Sequence, residues 1–305
     1  TQHHNLEVAF LNFVRQFADR VPIPVAFAAS PHIDGKSLGF IAMRRIENAR
    51  SVRLYETMSM DTILECARAM GRLQALCHSH GIHNMESIAG GADKASLFWS
   101  AISGRSLIDS LHSIEEFDGD QVIERVCRIV PLYEGQNVAY TLPRQRGRTP
   151  VVVNADLWAG NVMVDAAGKL QGIIDWQTVH VGSPAIDMLL LMITSLTAEE
   201  RRRQCDVILS EMHAACTAEA GEELYSLDEL REDAVICFPF VALAAFATAF
   251  GQRLKANNHF HISPEERQII IAKLRGMMED IVEHHTRVAQ LQSKFTTRWP
   301  NHWRE

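Results

Sequence analysis

The sequence contains no Cys-x-x-C pair: Cys66, Cys77, Cys127, Cys205, Cys216 and Cys237 are scattered along 305 residues. That spacing speaks against a disulfide framework or a cysteine-based zinc site and reads as reduced thiols in a cytoplasmic protein. Basic residues are in deficit, 30 Lys and Arg against 37 Asp and Glu, for a formal charge of −7. A negative balance argues against nucleic acid or an anionic membrane as partner. The most apolar run, Ala234 to Phe250, holds Pro239 and lacks basic anchors on both flanks. It is shorter than the about 20 residues that span a bilayer, so it reads as a buried core helix. No signal peptide, internal repeat or low-complexity tract is visible. The histidine pairs His78 with His80, and His284 with His285, lack matching carboxylate or cysteine partners nearby. They read as solvated helix-end residues. What remains is ordinary globular composition, 47% hydrophobic and 22% charged.

The informative stretch runs from Val151 to Met188. Val151, Val152 and Val153 follow Pro150 and predict a short buried strand, with Asp156 in the loop beyond it. Val162-Met163-Val164 and Leu170 to Ile174 flank the turn cluster Asp165-Ala166-Ala167-Gly168, which predicts a β-hairpin. The hairpin returns Asp175 to the side of Asn161. An aspartate, an asparagine and a second aspartate in this order form a phosphoryl-transfer constellation. One carboxylate, Asp156, orients the acceptor hydroxyl, and Asn161 and Asp175 supply oxygen ligands for magnesium.

The runs Asn-Ala-Asp-Leu-Trp-Ala-Gly-Asn-Val (154–162) and Ile-Ile-Asp-Trp-Gln-Thr-Val-His-Val-Gly-Ser-Pro-Ala-Ile-Asp (173–187) resemble the CHK-like small-molecule kinases. That group is related to choline kinases, aminoglycoside phosphotransferases and ecdysteroid kinases. Weaker likeness extends to His4-Asn5-Leu6-Glu7 with Phe10, to Gly39 to Met43, and to Leu54-Tyr55-Glu56. The resemblance implies a protein-kinase-like α+β fold, with a β-rich small lobe and a mostly helical large lobe. It also implies ATP and Mg2+ as cofactors and a small-molecule hydroxyl as substrate, such as an amino alcohol or sterol. By the same likeness Glu7 matches the small-lobe helix glutamate, and Asp187 is structural, bonding the catalytic-loop backbone from a buried helix. The chain departs from the family at Asn154-Ala155-Asp156, where the family has His-Gly-Asp, and at Leu73-Gln74, where it has Leu-His. The first glycine is Gly35 and the first lysine Lys36, so the family's glycine-rich loop and strand lysine have no counterpart before Glu7. The expectation is a chain lacking that segment, with Glu7 left solvated or unpaired and phosphotransfer impaired; the alternative function is a pseudokinase with a binding or scaffolding role.

The rest of the chain gives a partial small lobe over 1–46, a helical large lobe over 47–295 with the catalytic hairpin at 150–176, and a tail over 296–305. Apolar spacing predicts a helix from Leu6 to Phe17, then strands at Val25 to Ala29 and Leu38 to Met43. Met43, Arg44 and Ile46 would form the hinge against a nucleotide base. For Arg44 and Arg45 a solvated charge pair competes with a phosphate contact. Helices are predicted at Met60 to Gln74, at Val122 to Val130 ended by Pro131, and over most of Ala185 to Phe295. Trp158 and Trp176 flank the motif, as packed core residues or, less favoured, as substrate-stacking ones.

Overall fold

The amino end begins as helix α1 (Gln2–Val14), four residues before the expected Leu6 start, and tightens into a 3-10 turn over Arg15–Phe17. Phe10, Leu11, Val14 and Phe17 are its buried face. The structure is a computed structural model that describes residues 2–81, 104–134, 138–254 and 262–292. Strands β1 (Ala26–Ser30) and β2 (Phe40–Met43) pair antiparallel, with Ala29 opposite Ile41 and Ser30 opposite Phe40. Strand β3 (Arg50–Ser51) then leads to helix α2 (Met60–Ser79), whose N-cap Ser59 accepts from the Thr62 backbone.

Helices α3 (Gly104–His112), α4 (Gln121–Tyr133) and α5 (Val138–Gln145) precede the strands that carry the motif. These are β4 (Val151–Val153), β5 (Val162–Val164), β6 (Leu170–Ile173) and β7 (His180–Gly182). β3, β5 and β6 form one sheet and β4 and β7 another, and every described pairing is antiparallel. Five helices follow: α6 (Ala185–Ser195), α7 (Ala198–Ala220), α8 (Leu227–Ala245), the short α9 (Gly251–Leu254) and α10 (Pro264–Gln292). Thr197 with Glu200, and Ser226 with Glu229, make reciprocal capping boxes that start α7 and α8. Three small antiparallel sheets with a largely helical remainder are the expected α+β, protein-kinase-like arrangement. The expected tail over 296–305 lies outside the described residues.

α2 lies so close to α7 that a Cβ at Gly71 would meet the Met212 carbonyl at 2.2 Å. One turn on, the buried Gln74 accepts from the Tyr225 hydroxyl at 2.6 Å, so its amide is partnered where the family has histidine. Lys273 of α10 is buried and donates to three carbonyls, Leu54 at 2.9 Å, Glu56 at 2.6 Å and Thr194 at 3.1 Å.

One expectation made on proline and one on histidine are corrected, and the reading of Ala234 to Phe250 as a buried core helix holds. α4 does not stop at Pro131 but runs on to Tyr133, a buried residue whose hydroxyl meets His285 Nδ1 at 3.1 Å. That burial outweighs one missing N–H in the last turn. The apolar run is part of a longer helical stretch, Leu227–Phe250, which by length and composition could cross a membrane; 83% of its most apolar window is buried inside the protein. Pro239 in its middle has no N–H for the Val235 carbonyl one turn earlier. His284 Nδ1 of α10 reaches that oxygen at 3.4 Å, and its ring stacks on Phe238 at 4.3 Å. His284 is therefore packed rather than solvated, and burial pushes its pKa down to about 4.

Candidate active site

The buried Asn154, directly after β4, joins the two aspartates that the sequence singled out. Its Oδ1 accepts from the Asp156 N–H at 2.9 Å and its Nδ2 donates to the Asp175 carbonyl at 2.9 Å. Asn161 closes the arrangement: its Nδ2 donates to the Asp156 carbonyl at 2.8 Å and to Asp156 Oδ2 at 3.2 Å. Its own carbonyl accepts from Ile174 N at 3.0 Å, beside the end of the β5–β6 hairpin. These bonds bring Asp156, Asn161 and the Asp175 backbone together, and the Asp175 charge acts on Asp156; the Asp175 carboxylate itself accepts from Gln177 Nε2 at 3.3 Å. With Asn161 Nδ2 engaged by Asp156, its Oδ1 is the atom left to meet a cation. Two backbone positions here are left-handed without glycine, Ala155 at φ 64° and Asp175 at φ 60°. Such strain persists where surrounding contacts over-determine it.

Those contacts come from α6. Buried Asp187, in its first turn, accepts from Asn154 N at 2.9 Å and from Ala155 N at 2.8 Å. Further along, the Thr194 hydroxyl accepts from Ala159 N at 3.0 Å while donating to Leu190 O at 2.9 Å. Behind the loop, the Thr178 hydroxyl donates to Asn154 O at 2.9 Å, and His180 Nδ1 donates to Thr178 O at 2.8 Å. Burial holds His180 neutral, with its pKa pushed down to about 4. Sequence reasoning missed Asn154, Thr178, His180 and Thr194. The Asn154 departure from the family's histidine was visible, but its bridging role needed the fold.

Burial dominates the electrostatics. It pushes Asp156 up to about 7, with the Asp175 charge adding to the rise and the Asn161 bond opposing it. Burial also raises Asp175, and it raises Glu7, which the Asp175 charge raises further. Carboxylates whose charged form burial disfavours are a setting a divalent cation would relieve. Magnesium is commonly held by one or two carboxylates plus phosphate oxygens, and the Asp175 carboxylate with the Asn161 amide oxygen fits that donor set. Among the described residues no cluster of three His, Cys, Asp or Glu forms a self-contained metal cage.

Other expected site residues lie elsewhere or are engaged differently. Glu7 is not a free charge at the lobe's edge: its Oε1 accepts from Trp176 N at 3.2 Å, next to Asp175. Trp176 is a core residue, 1% exposed, stacked on Phe10 at 4.4 Å, with its indole N–H bonded to Ile173 O at 2.9 Å. Its proposed substrate contact is corrected, because a ring so covered has no free face. Met43 is exposed, Arg44 N donates to Val25 O at 2.9 Å, and Ile46 lies over Gly172 of β6. Trp158 is half-buried and lines a cavity of about 470 Å³ together with Gly160. Its ring crosses Gly160 so closely that a Cβ there would lie 2.2 Å from it.

A family model described as "DUF1679: Uncharacterized oxidoreductase dhs-27" matches residues 1–289. No curated protein matches the chain. Among solved structures, the GDP complex of wild-type aminoglycoside 2'-phosphotransferase-IIIa is similar at 16% identity and a TM-score of 0.47, over 92% of this chain and 82% of that one. Aminoglycoside phosphotransferase APH(3'')-Id from Streptomyces rimosus, with ADP and streptomycin, is 18% identical with a TM-score of 0.39, over 75% and 81%. Choline kinase LicA from Streptococcus pneumoniae is 14% identical with a TM-score of 0.37, over 90% and 80%.

Proposed function

Because this chain belongs to the DUF1679 family, a CHK-like family, we propose that it is an ATP- and magnesium-dependent phosphotransferase acting on a small-molecule hydroxyl. The observation that carries the reading is the pair of asparagine side chains, Asn154 and Asn161, that tie Asp156 to the Asp175 backbone. Asp156 orients the acceptor hydroxyl and takes its proton. A carboxyl pushed up to about 7 is matched to general-base work near neutrality. Asp175 and the Asn161 amide oxygen would hold magnesium, which when bound neutralises charge on the phosphates. Met43, Arg44 and Ile46 border the nucleotide base, and Glu7 steadies the backbone beside Asp175. All six cysteines are free, which supports a cytoplasmic protein. Hydride transfer, which the family description suggests, has less support: the sequence holds no G-x-G-x-x-G, and the described strands pair antiparallel.

A second reading, a nucleotide-binding protein impaired in transfer, is favoured by one contact. The Glu7 carboxylate is engaged by Trp176 N, with His4 as its nearby basic group. The test is nucleotide titration and phosphotransfer over a panel of hydroxyl compounds. Asp175→Asn is expected to lose magnesium-dependent nucleotide affinity. Asp156→Asn is expected to keep affinity and lose turnover by about 100- to 1,000-fold, the scale of one preorganised electrostatic contact. Equal turnover of wild type and Asp156→Asn refutes the assignment, and tight nucleotide binding with no turnover on any acceptor selects the second reading.

A further inference from the structure

A cavity of about 330 Å³ lies among α6, α7, α8 and α10, and none of Asn154, Asp156, Asn161 or Asp175 lines it. Its apolar lining is Leu189, Met192, Leu209, Ala234, Val235 and Phe238, all buried. Leu189 and Met192 stand about half a turn around α6 from Asp187 and Thr194. The helix that holds the catalytic loop on one face therefore gives its other face to this cavity.

A buried guanidinium stands among these apolar walls. Arg201 of α7 lines the cavity and is 3% exposed; its Nε donates to Asp280 Oδ2 at 2.9 Å and its Nη2 to the same oxygen. That pairing uses one edge of the planar group and leaves Nη1 on the other side, buried and without a hydrogen-bond partner among the described residues. Buried donors are nearly always bonded, and an unmade bond on a charged group is costly. Asp280 is also shared, since its Oδ1 accepts from Arg202 Nε at 2.6 Å. A second cation, Arg287 of α10, lines the same cavity from an exposed position. The two charges reach the same side chains. Burial raises the lining thiol of Cys205 to about 11 while Arg201 and Arg287 oppose the rise, and burial lowers His284 to about 4 while both arginines add to the fall. At the rim Arg231 is held by Asp206 at 2.6 Å and Arg202 by Glu279 at 2.7 Å. Glu283, one turn before Arg287, is exposed, where water and salt screen it.

A neutral apolar occupant would leave Arg201 Nη1 unbonded, and a cationic one would face two guanidiniums. A carboxylate accepts charge-assisted hydrogen bonds from both. The volume lies at the small end of small-molecule sites, and its wall is apolar apart from that one end of the chemistry. We propose that this cavity binds an apolar small molecule ending in a single carboxylate, its body against Phe238 and α6 and its head between Arg201 and Arg287. The site is separate from the phosphotransfer site and does not depend on that reading.

The test uses the whole chain and direct binding. Calorimetric titrations compare 4-phenylbutyrate with 4-phenylbutanamide, 4-phenylbutylammonium and acetate. 4-Phenylbutyrate is expected to bind at least about tenfold more tightly than the amide and the ammonium, the scale of one charge-assisted hydrogen bond. It should also exceed acetate, which has the head without the body. Arg287→Glu, at an exposed position, is expected to remove the preference for the anion. Arg201→Lys keeps a charge for Asp280 but not the second edge, and is expected to weaken the anion by about tenfold. Cys205 reports the place: bound 4-phenylbutyrate should slow its alkylation by iodoacetamide, read by peptide mass spectrometry. No binding at millimolar concentration, equal binding of anion and amide, or binding that leaves Cys205 alkylation unchanged would overturn the proposal. So would anion binding indifferent to Arg287→Glu, and this outcome and the Cys205 readout decide even where Arg201→Lys does not fold.

Discussion

Replacing Asn154 by alanine cuts both threads that tie the two aspartates together. The side chain is fully buried, so water does not enter to take over its bonds. It makes two near-ideal ones at 2.9 Å, from Asp156 N and to Asp175 O. Each such bond contributes about 1 kcal/mol net, and each partner left unsatisfied costs about 1–3 kcal/mol, less where the backbone relaxes toward solvent. The expected loss is about 2–4 kcal/mol in equilibrium urea unfolding. Turnover should fall by about 100-fold, because a shift near 1 Å in a positioned group has that effect. Asn154→Asp makes a second comparison: it keeps the acceptor for Asp156 N but loses the donor to Asp175 O and adds a charge among carboxylates already raised by burial. It should therefore harm nucleotide affinity more than Asn154→Ala. A stability loss below about 0.5 kcal/mol with unchanged turnover would refute the bridging role.

Ala155→Gly should be nearly neutral: relief of about 1–2 kcal/mol of left-handed backbone strain offsets the lost methyl and the added chain freedom. The control Ala75→Gly, at a buried site of α2, should cost about 1.5–2 kcal/mol; equal losses for the two in urea unfolding would show that Ala155 is unstrained. His284 has a folded pKa of about 4 against 6.5 unfolded, so the unfolded state binds more protons between those values. Its stabilisation is full above pH 6.5 and is lost as pH falls toward 4, by up to about 3 kcal/mol. His284→Gln should flatten that part of the stability profile measured by denaturant unfolding, and an unchanged slope would sink the assignment.

The fold was most legible where local signals agreed. The β5–β6 hairpin sits where the turn cluster at Asp165 to Gly168 predicted it, and the valine run is β4. The packed reading of Trp176 held, its ring stacked on Phe10 in the core. The partners that chain separation hides were the illegible ones. Glu7 finds Trp176 N across most of the chain, and His284 fills a carbonyl vacated by a proline in another helix. Neither follows from periodicity, since each depends on which helices pack together. Asn154 lay between these cases: the sequence marked it as a departure, but only the paired geometry of β4 and the hairpin gives its amide two backbone partners.

α6 grips the loop at two points, Asp187 on Asn154 and Ala155, and Thr194 on Ala159. The seven-residue step from 187 to 194 returns a helix to nearly the same face after roughly 10 Å of rise. The helix therefore acts as a splint of fixed length, and the loop is laced to it at both ends. The reach from Ala155 to Ala159 is set by helix rise rather than by the loop's own turn preferences. This explains how an alanine is kept in a conformation it disfavours. It also makes the two segments co-dimensional: one residue inserted in either would leave one lacing point about 100° out of line.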